Sequence, residues 1–280
     1  MTLTTEKFDL NYASVTGTVY GVWGRGEDIF ARISLDEDGA TFTTARFAGG
    51  RVASKPISLH PGMKITAQGY LSQNEYKESL QHFVDDAKVR SALDLVASED
   101  RAVWEALAFP RRNTILNVEA ARIGETEFGR LNGGETTVEG IVSRVWEYPH
   151  ASGIDLFARL AVYDEHTRAV EQNRDEHGRV YRSPHYVTIC VDNGQVMGFP
   201  VSLSAKQRIR ISGFLRERSY KTSLHEEILK LGKPEYVEML QRVRDVERFS
   251  EISTTQRSLH VAAQSVVIYS YSGGSRPSRS

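Results

Sequence analysis

Two short segments place an aromatic ring two residues before an arginine: Phe30-Ala31-Arg32 and Phe157-Ala158-Arg159. Residues two apart share one face of an extended strand. Each segment therefore presents a ring and a guanidinium side by side. Such a pair can hold a single nucleic-acid strand: rings give bases a stacking surface, about 1–3 kcal/mol per base, and cations follow the phosphates. Further candidates for the same surface are Trp23, Lys64, Tyr70 and Tyr76 in the first half of the chain. Arg144, Trp146, Tyr186, Arg208, Arg210, Phe214, Arg216, Arg218 and Tyr220 are the candidates in the second half. Plainer readings stand beside this one. Phe30 and Phe157 also suit packing under a helix or a subunit interface, and Trp23 and Trp146 suit a core. Arg32 and Arg159 suit surface ion pairs, and Tyr76 and Tyr220 suit strand packing.

Catalytic patterns are missing. The 8 histidines are scattered, and no HExxH, Walker-type loop or Gly-x-Ser-x-Gly element occurs. The acidic pairs Asp85-Asp86 and Glu226-Glu227 read as solvated charge on loops or helix starts. No catalytic residue, metal or cofactor is expected. Cys190 is the single cysteine, which excludes an intrachain disulfide framework or a cysteine-rich metal site.

The candidates must be positioned by strands. Ile29, Ala31, Ile33 and Leu35 alternate with Phe30, Arg32 and Ser34. Leu156, Ala158, Leu160 and Val162 alternate with Phe157, Arg159 and Ala161 in the same way. If the aliphatic face fills a core, the rings and arginines point outward. Asp38-Gly39 signals a hairpin, while Asp164 to Pro184 reads as a long, mobile hairpin or loop. Helical spacing is confined to Ala87–Phe109, where Trp104 reads as core, and to Pro234–Phe249.

The strands repeat. Ser14–Trp23 reads SVTGTVYGVW and Thr137–Trp146 reads TVEGIVSRVW. Pro56-Ile57-Ser58-Leu59 matches Pro200-Val201-Ser202-Leu203, and Gly69 and Gly213 follow each proline at the same distance. Tyr76-Lys77 and Tyr220-Lys221 then follow each glycine equally. This ordered series predicts two copies of one domain, a first at 1–130 with a helical insertion near 83–110 and a second at 135–271 with one near 234–249. The boundary is expected within Gly129–Glu135, and the tail 272–280 reads as disordered. Gly17 and Gly140, inside the first strand of each copy, predict a bulge or bend that closes a small barrel. Five strands with a bent first strand predict a mainly β protein of two tandem OB-fold barrels with helical insertions.

The second copy resembles the bacterial single-stranded DNA-binding protein family. The segments that carry the resemblance are VEGIVSRVWEYP (Val138–Pro149), DLFARLAV (Asp155–Val162), HYVTICV (His185–Val191) and RIRISGFLRERSY (Arg208–Tyr220). Through the repeat it extends to residues 14–123. It implies an OB fold, sequence-tolerant binding of single-stranded DNA in replication, recombination, repair or mobile-element transfer, no catalysis and no cofactor. Four OB folds assemble in that family, so two per chain imply a homodimer. Members commonly end in an acidic tail, whereas this sequence ends GGSRPSRS.

Composition limits the partners. The chain has 280 residues, 35 basic and 36 acidic, with 40% apolar residues, a globular balance. Residues 1–134 hold 15 basic and 18 acidic residues, net −3, which leaves 20 and 18, net +2, for 135–280. The second copy is therefore expected to bind an anionic strand more strongly. No long apolar run or signal-like start is present, so the expectation is a soluble, cytoplasmic protein with no membrane segment. A protein-interaction scaffold and an RNA-binding OB protein are the competing readings.

Overall fold

A computed structural model describes residues 9–36, 39, 41–80, 94–124, 133–167, 169–174 and 180–269. The expected tail at 272–280, the acidic pair Asp85-Asp86, Asp38 of the expected turn and the start of the first helical insertion lie outside these residues.

Ten strands carry the fold. The first copy contributes β1 (Asn11–Arg25), β2 (Asp28–Ser34), β3 (Phe42–Phe47), β4 (Lys64–Ser79) and β5 (Ala108–Ile123). The second contributes β6 (Gly133–His150), β7 (Gly153–Val162), β8 (His185–Val191), β9 (Arg208–Ser223) and β10 (Ser253–Tyr269). β1 pairs with β2 and β2 with β3, all antiparallel; β3 pairs with β5 in parallel. β5 neighbours β4, and β4 closes the ring on β1. The second set repeats every step: β6–β7, β7–β8, β8–β10 in parallel, β10–β9, and β9 back on β6. Strand order 1-2-3-5-4 closing on 1 is the five-stranded Greek-key barrel of an OB fold. The chain holds two of them.

Alternation fills each barrel. Val15, Val19, Ala31, Ile33, Ala45, Ile65, Ala67 and Leu71 are buried in the first. Val138, Val142, Ala158, Leu160, Val187, Ile189, Ile209 and Ile211 are buried in the second. Gly17 and Gly140 serve close approach rather than a bulge. A Cβ on Gly17 would overlap the Ser34 carbonyl oxygen, and one on Gly140 would sit 2.7 Å from that of Ala161. The register shift falls after them, between Val19 and Gly21 and between Val142 and Arg144.

The barrels join through β1 and β6, which pair antiparallel from Asn11↔Val138 to Thr16↔Gly133. Ala13 faces Thr136 in this ladder, and these are the same position of the repeat. The two copies therefore meet about a local two-fold axis. Gly133 and Gly134, expected in a linker, instead lie in β6 opposite Thr16 and Val15.

The compact units of the chain are drawn on other lines than the repeat. One unit comprises Met1–Gln73, Thr114–Glu217 and Leu259–Ser280 and contains the barrel strands; the other comprises Asn74–Asn113 and Arg218–Ser258. This second unit is assembled from both helical insertions. Among the described residues its helices include α1 (Arg101–Glu105), α2 (Leu224–Lys230), α3 (Pro234–Gln241) and α4 (Val246–Glu251). The single helix expected over Pro234–Phe249 is thus two, and α2 precedes it. Ser223 and Glu226 form a reciprocal capping box that starts α2. Trp104 is fully buried in the unit's core, edge-on to Phe249 at 5.2 Å. Arg242 binds Asp100 through two hydrogen bonds of 2.8 Å. No helix among the described residues is long and apolar enough to cross a membrane.

Candidate nucleic-acid interface

The outer faces of β1–β2–β3 and β6–β7–β8 carry the same four-residue arrangement. In the first barrel Trp23 lies over Phe30, ring centroids 5.8 Å apart and planes 11° from parallel. In the second Trp146 lies over Phe157 at 5.6 Å and 13°. Both pairs are directly opposite across a hairpin. One residue pair along, Arg32 lies 4.6 Å above the Phe42 ring and Arg159 lies 5.1 Å above the Tyr186 ring. Phe42 and Tyr186 sit at equivalent points, opposite Ser34 and Ala161.

Strand parity placed Phe30 and Phe157 outside the barrels, yet they are only 8% and 6% exposed. Each is covered by its tryptophan, and Phe157 also meets His260 edge-on at 5.6 Å. The phenylalanines are the floor of the stack. The tryptophans are its outer plates: Trp23 is 45% exposed and Trp146 is half-buried.

The faces differ in charge. Arg144 stands directly opposite Arg159 on neighbouring strands and lies 5.8 Å from the Trp146 ring. Arg144 is exposed and has no ion pair among the described residues. Like charges placed opposite each other are unfavourable unless an anion joins them. The position opposite Arg32 is Gly21. In the first barrel Arg46, opposite Phe30, pairs with Asp28 at 2.7 Å, and Arg32 lies 3.6 Å from Glu217.

Several other candidates are occupied elsewhere. Arg208 and Arg210 converge on Glu139, which is nearly fully buried, through hydrogen bonds of 2.7–3.0 Å. The Tyr269 hydroxyl donates to the same carboxylate, and Arg208 also pairs with buried Asp9. Burial pushes the Glu139 carboxyl up, but hydrogen bonds from Arg210, Arg208 and Tyr269 outweigh it and hold the group below its ordinary range. Burial wins at Asp9, whose carboxyl is raised despite the Tyr163 N–H and Arg208. Tyr70, expected on an open surface, is stacked on His166 at 3.9 Å and on His185 at 5.4 Å. Arg216 pairs with Asp192 at 2.7 Å. Lys64 is exposed opposite Thr18, and Phe214 is exposed opposite Glu135.

Tyr76, Arg218 and Tyr220 belong to the second unit. There Asn113 donates to the Tyr76 hydroxyl at 3.3 Å, and burial raises the phenol. Glu227, expected to be solvated, is buried and binds Arg111, Lys230 and the Thr222 hydroxyl. Burial raises its carboxyl, but those donors prevail and hold it low.

Tyr20 and Tyr148 were missed by sequence reasoning. Tyr20 is exposed and meets Phe42 edge-on at 5.3 Å; Tyr148 is exposed two residues beyond Trp146. The i, i+2 spacing of Arg144, Trp146 and Tyr148 was the available signal. Asp155, Cys190 and Asp192 place ligand-type atoms within 4.8 Å of one another. Asp155 already accepts from Asn193 N–H, and Asp192 from Arg216, so their oxygens are engaged in holding the hairpin after β8.

No family model matches the chain, and no curated protein matches it. Two solved structures similar to it are of the single-stranded DNA binding protein from Thermus aquaticus. The wild-type structure aligns with a TM-score of 0.46 at 12% identity, covering 97% of this chain and 100% of that one. A deletion mutant aligns with a TM-score of 0.47 at 11% identity, covering 93% and 94%.

Proposed function

We propose that this protein binds single-stranded DNA without catalysis and with little regard to sequence, through the outer faces of its two barrels. The observation that carries the reading is the repeated set: a tryptophan plate on a phenylalanine floor, beside an arginine held over an aromatic ring, on equivalent strands of both copies. A base stacks on the open face of Trp23 or Trp146, and its phosphates meet Arg144 and Arg159. Stacking is tolerant because every base has a π-face. Such a protein would protect or organise strands during replication, recombination, repair or transfer of a mobile element, and a homodimer would present four barrels.

The test is a salt-titrated binding assay with fluorescent oligo-dT, oligo-rU and duplex DNA. Binding of oligo-dT that weakens linearly in log K against log salt supports the reading. No binding at low salt overturns it, and preference for oligo-rU moves it to RNA.

One observation favours a scaffold role alongside. The hairpin after β8 ends in Met197 and Phe199, 87% and 74% exposed. Two strongly exposed apolar side chains on one short hairpin suit a protein partner. Pull-down that depends on Met197 and Phe199 but not on Trp146 would separate the two roles.

A further inference from the structure

The local two-fold axis brings the arginine of each face to the fourth strand of the other copy. Arg159 donates to Gln73 Oε1 at 3.2 Å, and Arg32 lies 3.6 Å from Glu217 Oε1. Gln73 and Glu217 are the same position of the repeat, each four residues after its glycine, Gly69 or Gly213. The two contacts are thus near-isosteric and differ by one negative charge. Glu217 is well held, because its second oxygen accepts the Phe42 N–H at 3.0 Å and its side chain is 6% exposed. Arg32 is 36% exposed and rests on the Phe42 ring, so the carboxylate and the guanidinium are fixed by the same strand end.

We propose that Glu217 sets the inequality of the two faces: its carboxylate neutralises Arg32 and makes the first barrel the weaker partner of the strand. A phosphate approaching Arg32 must compete with an anion already in place, partly shielded from water and anchored to the backbone. At the equivalent position Gln73 accepts a hydrogen bond from Arg159 with no charge of its own. The position opposite Arg32, Gly21, adds no second cation, in contrast to Arg144. This inference rests on the reading of the faces as strand-binding surfaces.

The test uses the full chain and oligo-dT long enough to touch both barrels, with affinity measured against salt. Glu217→Gln keeps an acceptor for the Phe42 N–H. It should tighten binding and steepen the log K–log salt slope by about 0.7, the increment for one further phosphate contact on a single strand. Gln73→Glu should make the slope shallower by a similar amount. Arg144→Gln should lower the wild-type slope by about 0.7, and Arg32→Gln should lower it by distinctly less, because Glu217 already offsets that charge; this pair decides the matter if Glu217→Gln does not fold. A wild-type chain that binds oligo-dT, with equal slopes for wild type and Glu217→Gln or with a slope that falls as far on Arg32→Gln as on Arg144→Gln, overturns this inference alone. A wild-type chain that does not bind overturns it together with the proposed function.

Discussion

The indole of Trp146 lies over the ring of Phe157 with centroids 5.6 Å apart and planes 13° from parallel. At that separation the rings are offset, the arrangement two aromatic quadrupoles favour over a direct sandwich. The inner ring faces the barrel wall and His260, and the outer ring faces away from it. One stack therefore divides two tasks between two residues: Phe157 holds the surface in place, and Trp146 offers it.

Trp146→Ala and Phe157→Ala should consequently fail in different ways. Loss of the outer plate removes one base-stacking interaction, about 1–3 kcal/mol, or roughly 5- to 150-fold in affinity for oligo-dT. The thermal midpoint should move little. Loss of the buried floor should cost about 3–5 kcal/mol of stability, the range for Phe→Ala in a core. Fluorescence anisotropy and thermal melts on the same two proteins check this. Equal losses of stability in both would show that Trp146 is part of the core.

Stability should fall in acid, and the sign follows from the buried carboxylates. Glu139, Asp164 and Glu227 are each pushed up by burial but lowered overall by their donors, Arg210 and Arg208 for Glu139, His185 and Asn11 for Asp164, Lys230 and Arg111 for Glu227. A carboxyl depressed in the folded chain contributes stability that is complete above its unfolded pKa, about 4, and is lost as pH falls through the lower folded value. Asp9, raised by burial, acts in the opposite direction. The unfolding midpoint should drop below about pH 4. Glu139→Gln should be less stable at pH 7 by roughly 2–3 kcal/mol, since it leaves two arginines short of a counter-charge that are themselves only partly shielded by the protein. The gap to wild type should narrow toward pH 3, which denaturant titrations at several pH values would show.

Local pattern in the sequence was enough for the barrel strands and for the tryptophan, phenylalanine and arginine positions of the candidate faces. Alternation at Ile29–Leu35 and Leu156–Val162 fixes which side of the strand each residue takes, and the repeat supplies the second barrel from the first. Parity names a face, but not what lies on it. Phe30 is covered by Trp23 because a short hairpin sets them opposite, and that register was readable in principle from Trp23 to Arg32. Tyr70 on His166 and Arg32 on Glu217 were not readable, because each contact depends on how the two copies meet; Arg208 on Glu139 depends instead on the register with which β9 closes on β6 inside the second barrel. The pairing of Trp104 with Phe249 likewise needs both insertions in one core. Glu226 is exposed at a helix start as expected, but Glu227 was misread for another reason. The Ser223–Glu226 capping spacing was present and marks a helix start, which turns Glu227 inward to Arg111.

Gly21 offers a way to build the second face's charge into the first. It is the repeat equivalent of Arg144 and stands opposite Arg32 as Arg144 stands opposite Arg159. A Cβ on Gly21 would meet no atom within 4 Å, so a side chain there has room, unlike at Gly17. Gly21→Arg adds an exposed cation two residues before Trp23 on the same strand face. The variant should melt near the wild-type temperature, since leaving glycine in a strand interior is if anything favourable. It should bind oligo-dT more tightly at low salt and steepen the log K–log salt slope by about 0.7. The Gly17→Ala control should instead lose stability, because its methyl overlaps the Ser34 carbonyl. A Gly21→Arg slope equal to wild type would mean that the first barrel's outer face does not lie on the strand's path.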